Sequence, residues 1–193
     1  MKQGVKILLG IGVALAAASV ILTIRKQLRI KAFAKALVGQ KEISGNSGFS
    51  SALLEQQMKE VGWQEGDQWC VYFAKLVWYQ KAPEWLKPKI KKAISGSSQT
   101  TWETVSKDPA FTTSKTPKVG DMVIWQSYSN GKPLWSGHAG IVTKVGISSF
   151  NTVEGNTTSE VNNREGYTVA EKQRTFNYDA NNGLRLKGFV RIG

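Results

Sequence analysis

The chain has 193 residues, enough for one domain with a full core and an appendage, and carries 26 Lys and Arg against 14 Asp and Glu for a formal net charge of +12. Cys70 and His138 are the single members of their residue types, which excludes an internal disulfide and a structural zinc site. The charge invites a nucleic-acid partner, because a basic chain gains from counterion release on phosphate, but residues 1–42 hold eight basic side chains against Glu42 and so account for +7 of the +12. No interleaving of aromatic and basic residues appears outside the Trp-rich helical region, so nucleic acid is not the expected partner.

The first element is the run "ILLGIGVALAAASVILTI" at 7–24, uncharged and bounded by Lys6 and Arg25. Its 18 residues come close to the ~20 that a helix needs to cross a bilayer. A cleaved signal peptide with Ala16 and Ala18 at the cut is the competing reading, but the apolar run continues through Val20, Ile21, Leu22 and Ile24, which favours a retained anchor. A transmembrane helix is therefore expected at about 5–24. A basic juxtamembrane helix is expected at about 25–40, where Leu28, Ile30, Phe33, Leu37 and Val38 recur near helical spacing between Arg and Lys. Five Lys or Arg follow the span within a dozen residues, against Lys2 and Lys6 before it. The positive-inside tendency then leaves the folded part in the cytoplasm.

The polar stretch "SGNSGFSS" at 44–51 reads as a linker, which separates an anchor at 1–43 from a domain at 52–193. Helical periodicity follows in "SALLEQQMKEVGW" and "CVYFAKLVWYQK", and more weakly in "PEWLKPKIKKAI", limited by Pro88, and in "TWETVSK". Lys81, Lys87, Lys89, Lys91 and Lys92 supply the rest of the charge excess, a pattern suited to a solvated helix face or to holding an anionic surface. Short strands come next: "DMVIWQ", "HAGIVTKV", "SFNTVEGN" and "LRLKGFVRI", with turn chemistry in "SNGK" and "DANNG". Helices first and strands afterwards predict an α+β domain on a small antiparallel sheet.

Cys70 stands where its helix begins, so the dipole and free N–H groups there favour thiolate and can receive the oxygen of a tetrahedral intermediate. His138 opens a strand, and Glu154 with Asn156 lies on the next one, on a single face if the strand runs unbroken. A carboxylate or amide accepting from one imidazole nitrogen holds the other toward a thiol. All seven tryptophans fall between 63 and 135, and Trp69, Trp125 and Trp135 are the candidates to line a substrate groove. Gln64 or Gln68 is a candidate oxyanion donor. Glu65 and Asp67 fall short of the six to eight oxygens that calcium requires, so no metal is expected. The loop 127–137, long for a hairpin, is a candidate cleft wall.

The blocks "WCVYFAKLVWY", "PKVGDMVIW", "GHAGIVTKV", "TVEGNT" and "LKGFVRI", in that order, resemble the CHAP family of cysteine- and histidine-dependent amidohydrolases and peptidases, papain-like enzymes that cut peptidoglycan. The resemblance spans about 50–193. It implies a papain-like fold, a helical N-terminal half packed on a small antiparallel sheet with the cleft between them. It also implies Cys70 as nucleophile, His138 as base and then acid, Glu154 as orienter of the imidazole and Asn156 as an additional polar residue beside them. The expectation is a membrane-anchored peptidoglycan hydrolase that needs no cofactor, with the lipid bilayer as its second partner. It would sit as a single-pass protein in a bacterial envelope or in the membrane of a phage virion. The alternative is an envelope-binding or structural module that keeps the fold without turnover.

Overall fold

The computed structural model describes residues 2–158 and 166–192, with side chains from residue 18 onward. Helix α1 (Lys2–Ala36) is continuous over 35 residues. Its apolar run falls largely on side chains outside the described residues. Among the described ones, no helix is long and apolar enough to cross a membrane. The expected span at 5–24 therefore rests on its sequence.

The second half of α1 is not laid out for headgroups alone. Ile30 and Ala34, one turn apart, are buried in the main core, with Phe33 and Leu37 packed against it. Burying a side chain such as Ile30 is worth about 1.5–3 kcal/mol, so this part of the helix is docked on the domain. Val20, Ile21, Leu22, Ile24 and Leu28 remain exposed.

The segment 44–51 proves not to be a free linker. Strands β1 (Glu42–Ile43) and β2 (Gly48–Phe49) pair antiparallel around a short 3-10 turn. Phe49 is buried edge-on against Trp63 and Trp69, at centroid distances of 4.9 and 5.1 Å. Gly/Ser-rich composition signalled a boundary, but one large apolar residue fixes the segment to the core. Ser51 then caps α2 (Ala52–Glu60) by accepting from the Leu54 N–H at 3.3 Å.

Helix α3 (Cys70–Lys81) is the central element, with Phe73, Ala74, Leu76, Val77 and Trp78 buried. Pro88 does not interrupt the next segment. It sits in the first turn of α4 (Lys87–Ala93), behind a 3-10 turn at Glu84–Leu86, the position a helix tolerates because no intrahelical N–H is lost there. Helix α5 (Ser98–Val105) is capped by Ser97.

The strands are β3 (Phe111–Ser114), β4 (Met122–Ser129), β5 (Lys132–Val145), β6 (Ser149–Thr157), β7 (Thr168–Thr175) and β8 (Gly183–Ile192). They form one antiparallel sheet in the order β3-β8-β4-β5-β6-β7. The run "MVIW" is apolar at every position because β4 is covered on both faces: Met122 and Ile124 join the helical core, while Val123 and Trp125 join a second cluster with Val142, Phe150, Leu186 and Phe189. The fold is α+β, as expected. The segment expected as a loop at 127–137 is instead an extended hairpin, closed at Asn130 and Gly131, both with positive φ. Those angles match the two-residue turn that right-twisted strands prefer.

Candidate active site

Cys70 is the first residue of α3, and no side chain caps that helix start. Its N-terminal N–H groups therefore remain available to a ligand or a charge. Burial works against ionisation of the thiol, but the charge and hydrogen bond of His138 outweigh it. The backbone N–H groups of Ala139 and Val71 add to this and hold the thiol pKa below its ordinary value.

His138 lies on β5 opposite Trp125 of β4. The indole ring packs against the imidazole at a centroid distance of 5.8 Å. Nε2 of His138 is 2.9 Å from Oε2 of Glu154, so Nδ1 is the nitrogen left for Cys70. Burial would lower the imidazole pKa. The Cys70 charge and hydrogen bond, followed by the hydrogen bond and charge of Glu154, push it up to about 10. Sulfur and imidazole, 68 residues apart in the chain, are thus neighbours that shift each other's ionisation in opposite directions.

Glu154, on β6, is 0 % exposed, an expensive place for a lone carboxylate. It is not alone. Arg174 of β7 donates to it from Nε, at 2.8 Å from Oε1, and from Nη2 to Oε2, and Thr152 donates to Oε1. Against the effect of burial, these bonds and the imidazole hold the carboxyl well below its usual range. The Arg174 guanidinium also lies over the Trp125 ring, 5.3 Å from its centroid. Sequence reasoning missed Arg174, because "TVAEKQRT" is too polar to stand out as a strand.

Asn156 is not on the imidazole. The pairing of β6 with β7 shifts register between Glu154 and Thr157, and Asn156 takes a positive φ of 48°. A bulge there turns its side chain out of the alternation and toward the start of α3. With its amide oxygen 3.2 Å from the Trp69 N–H, its nitrogen donates to the Gly166 carbonyl, and it meets the Gln68 side chain. Asn156 therefore fixes the segment entering Cys70.

Cys70, His138, Asn156 and Arg174 line one cleft of about 830 Å³, with Glu154 buried behind its wall. Gln68 is on its wall and Gln64 is not. Trp135, 87 % exposed, lies on the wall built by the β4–β5 hairpin. Trp69 and Trp125 do not serve as groove residues. Trp69 is fully buried, its indole N–H spent on Glu42, and Trp125 is buried beneath the imidazole. Hydroxyls from Ser97, Ser98, Ser127 and Ser129 face the same space. Apart from the Cys70–His138 pair, Arg174 is the charged side chain among the described residues of the wall. No group of three or more metal-ligating side chains occurs among the described residues.

A thiol at an open helix start, an imidazole beside it and a carboxylate behind the imidazole have the layout of a thiol-dependent acyl-transfer site. Residues 62–156 match the family model of the CHAP domain. CHAP domains are typically cysteine- and histidine-dependent amidohydrolases or peptidases, and the family is one of peptidoglycan hydrolases. Neither a curated protein nor a solved structure matches the chain.

Proposed function

We propose that this protein is a membrane-anchored enzyme that cleaves an amide of peptidoglycan through a cysteine acyl-enzyme. The observation that carries the reading is the placement of the Cys70 thiol beside His138, whose far nitrogen is bonded to Glu154, at a cleft in the segment that matches the CHAP family model. The Cys70 thiolate adds to the carbonyl carbon, forming a C–S bond. The oxygen takes the negative charge and is met by the Cys70 N–H and the Gln68 amide. His138 gives its proton to the amine as the C–N bond breaks. Neutral His138 then takes a proton from water, whose oxygen releases the acyl group and returns the sulfur. Glu154 holds the ring in position throughout. The hydroxyl-lined wall with its one exposed indole suits a substrate of sugar and peptide, in which neutral hydrogen-bonding groups predominate.

The apolar run 7–24 is the proposed anchor, in a bacterial envelope or in the membrane of a phage virion. In a virion the cellular charge rule does not decide which side the domain faces. Protease accessibility in intact cells or particles locates the domain, and exposure to the bacterial cytosol overturns wall hydrolysis. The decisive test is digestion of purified peptidoglycan by the full chain, with mass analysis of the products. New soluble fragments that disappear in Cys70→Ala support the reading and name the bond. Fragments that persist in that variant refute it, as does an intact wall combined with an unreactive thiol, the signature of a module without turnover.

A further inference from the structure

Away from the cleft, α3 and α4 bring together three amines, Lys75, Lys87 and Lys91, of which Lys87 alone forms an ion pair among the described residues. Lys75 of α3 is only 5 % exposed, and among the described residues neither a hydrogen bond nor an ion pair reaches its ammonium. Its Nζ stands 5.9 Å from the centroid of the Tyr72 ring. Burial, and after it the charge of Lys91, bring the Lys75 pKa down to about 8.

Helical spacing assembles the rest. Tyr72, Lys75 and Tyr79 recur along one face of α3, while Lys87 and Lys91 are one turn apart on α4. Both α4 amines lie over Tyr79, with Nζ 5.1 Å from the ring centroid for Lys87 and 5.0 Å for Lys91. Lys87 is answered by Glu84 at 2.6 Å; Lys91, like Lys75, has no acid partner among the described residues. The Lys75 ammonium is approached from the surface at Gly62, an exposed residue where an added Cβ would stand 3.9 Å from its Nζ.

A buried amine ordinarily pairs with a carboxylate, because an unpaired one carries a desolvation penalty with nothing to offset it. Here the charge that bears on Lys75 is that of Lys91, of the same sign, which raises the penalty, while the Asp67 carboxylate bears on Tyr72. A multiply charged oxyanion reverses both terms: it replaces the lost solvation of Lys75 and turns the repulsion between Lys75 and Lys91 into a shared attraction. Compact ammonium groups suit phosphate as point charges. We propose that Lys75, Lys87 and Lys91, framed by Tyr72 and Tyr79, form a binding site for a phosphate-ester anion. None of these residues lines the cleft, so the site stands independently of the hydrolytic reading. Trp85, 64 % exposed, precedes it, and Lys81 links this face to α1 with its Nζ 4.2 Å from the Phe33 ring centroid.

The test follows the Lys75 ε-carbon resonance of the full chain in neutral detergent, assigned by Lys75→Met, during titration with inorganic phosphate. The expected result is a saturable change in which the Lys75 pKa rises by about one unit or more. Lys91→Gln weakens the apparent affinity about tenfold, whereas Lys89→Gln, which removes an equal charge from the same helix, changes it less than about twofold. Phosphatidic acid vesicles, whose monoester headgroup is multiply charged like free phosphate, reproduce the shift if the source is a lipid headgroup; soluble glycerol phosphate alone does so if it is a free ester. Either result supports the site. No saturable shift at Lys75 with any of these probes overturns it, and so does an equal loss in Lys89→Gln and Lys91→Gln, the mark of bulk charge.

Discussion

Nε2 of His138 lies 2.9 Å from Oε2 of Glu154, and Arg174 grips the same buried carboxylate from its other side. Glu154 is thus shared between a titrating imidazole and a permanent cation. Glu154→Gln leaves the Arg174 guanidinium without its anion, and Arg174→Gln leaves Glu154 charged and short of a donor. Stranding one partner of a buried pair costs about 3–5 kcal/mol, more than removing both. Thermal melts should therefore place Glu154→Gln/Arg174→Gln above either single variant, a coupling that a double-mutant cycle reads directly. Arg174→Lys, which keeps the charge and loses the fork, should fall between wild type and Arg174→Gln. Additive single effects would show that Arg174 acts elsewhere.

The proton distribution along the same chain predicts the pH dependence of stability. The imidazole pKa is raised from 6.5, so its contribution is complete below 6.5 and lost as pH climbs toward about 10. The thiol pKa is lowered from 9.0, so its contribution is complete above 9.0 and lost as pH falls. Between 6.5 and 9.0 one gain cancels the other, because the folded state has moved a proton from sulfur to nitrogen without changing the number bound. The stability of wild type relative to Cys70→Ser/His138→Gln, which removes both titrating groups, should be level across that window and shrink on both sides. Denaturant midpoints at a series of pH values check this. Alkylation of Cys70 should already be fast at neutral pH, and a difference that climbs steadily through the window would mean that the two groups titrate separately.

The parts legible in the sequence were those carried by residue types that occur once or by a strong period. A lone cysteine ahead of "VYFAKLVWY" placed a thiol at a helix start, and "GHAGIVTKV" placed an imidazole on a strand beside Glu154. Position relative to other elements was not legible. Trp69 and Trp135 look alike as letters, yet the first faces Phe49 and Phe73 inside the core and the second faces solvent on a hairpin. Asn156 follows Glu154 by two residues, and strict alternation put them on one face until a bulge separated them. Arg174 became relevant only because β7 pairs with β6 and brings it to Glu154.

The tryptophans should therefore separate by assay. Trp135→Ala removes an exposed ring from the cleft wall, so the melting temperature should stay near wild type while hydrolysis of peptidoglycan falls, chiefly through a higher KM. Trp69→Ala empties a fully buried site and should cost about 3–5 kcal/mol in denaturant unfolding. Trp125→Ala should do both, since the indole supports the second cluster and the imidazole together. Unchanged hydrolysis in Trp135→Ala would remove that ring from substrate binding.

Gly140, two residues after His138, faces Glu154 across the strand pair. A Cβ there would come within 2.6 Å of the Glu154 Cγ and 3.2 Å of the Val153 carbonyl oxygen, closer than real side chains pack, so the carboxylate must move. Glu154 is the group with room to lose, because its position depends on reaching His138 and Arg174 and not on the chain alone. Gly140→Ala should keep the fold, seen as an unchanged far-ultraviolet circular dichroism spectrum. It should lower hydrolysis by about 10–100-fold, the usual effect of displacing a group that orients a reacting residue. The thiol should lose part of its activation as well, because an imidazole without its carboxylate holds a proton less firmly, so iodoacetamide should alkylate Cys70 more slowly at pH below the ordinary thiol range. Full activity in Gly140→Ala would mean that the imidazole keeps its orientation without Glu154, and the hydrogen-bond chain would end at His138.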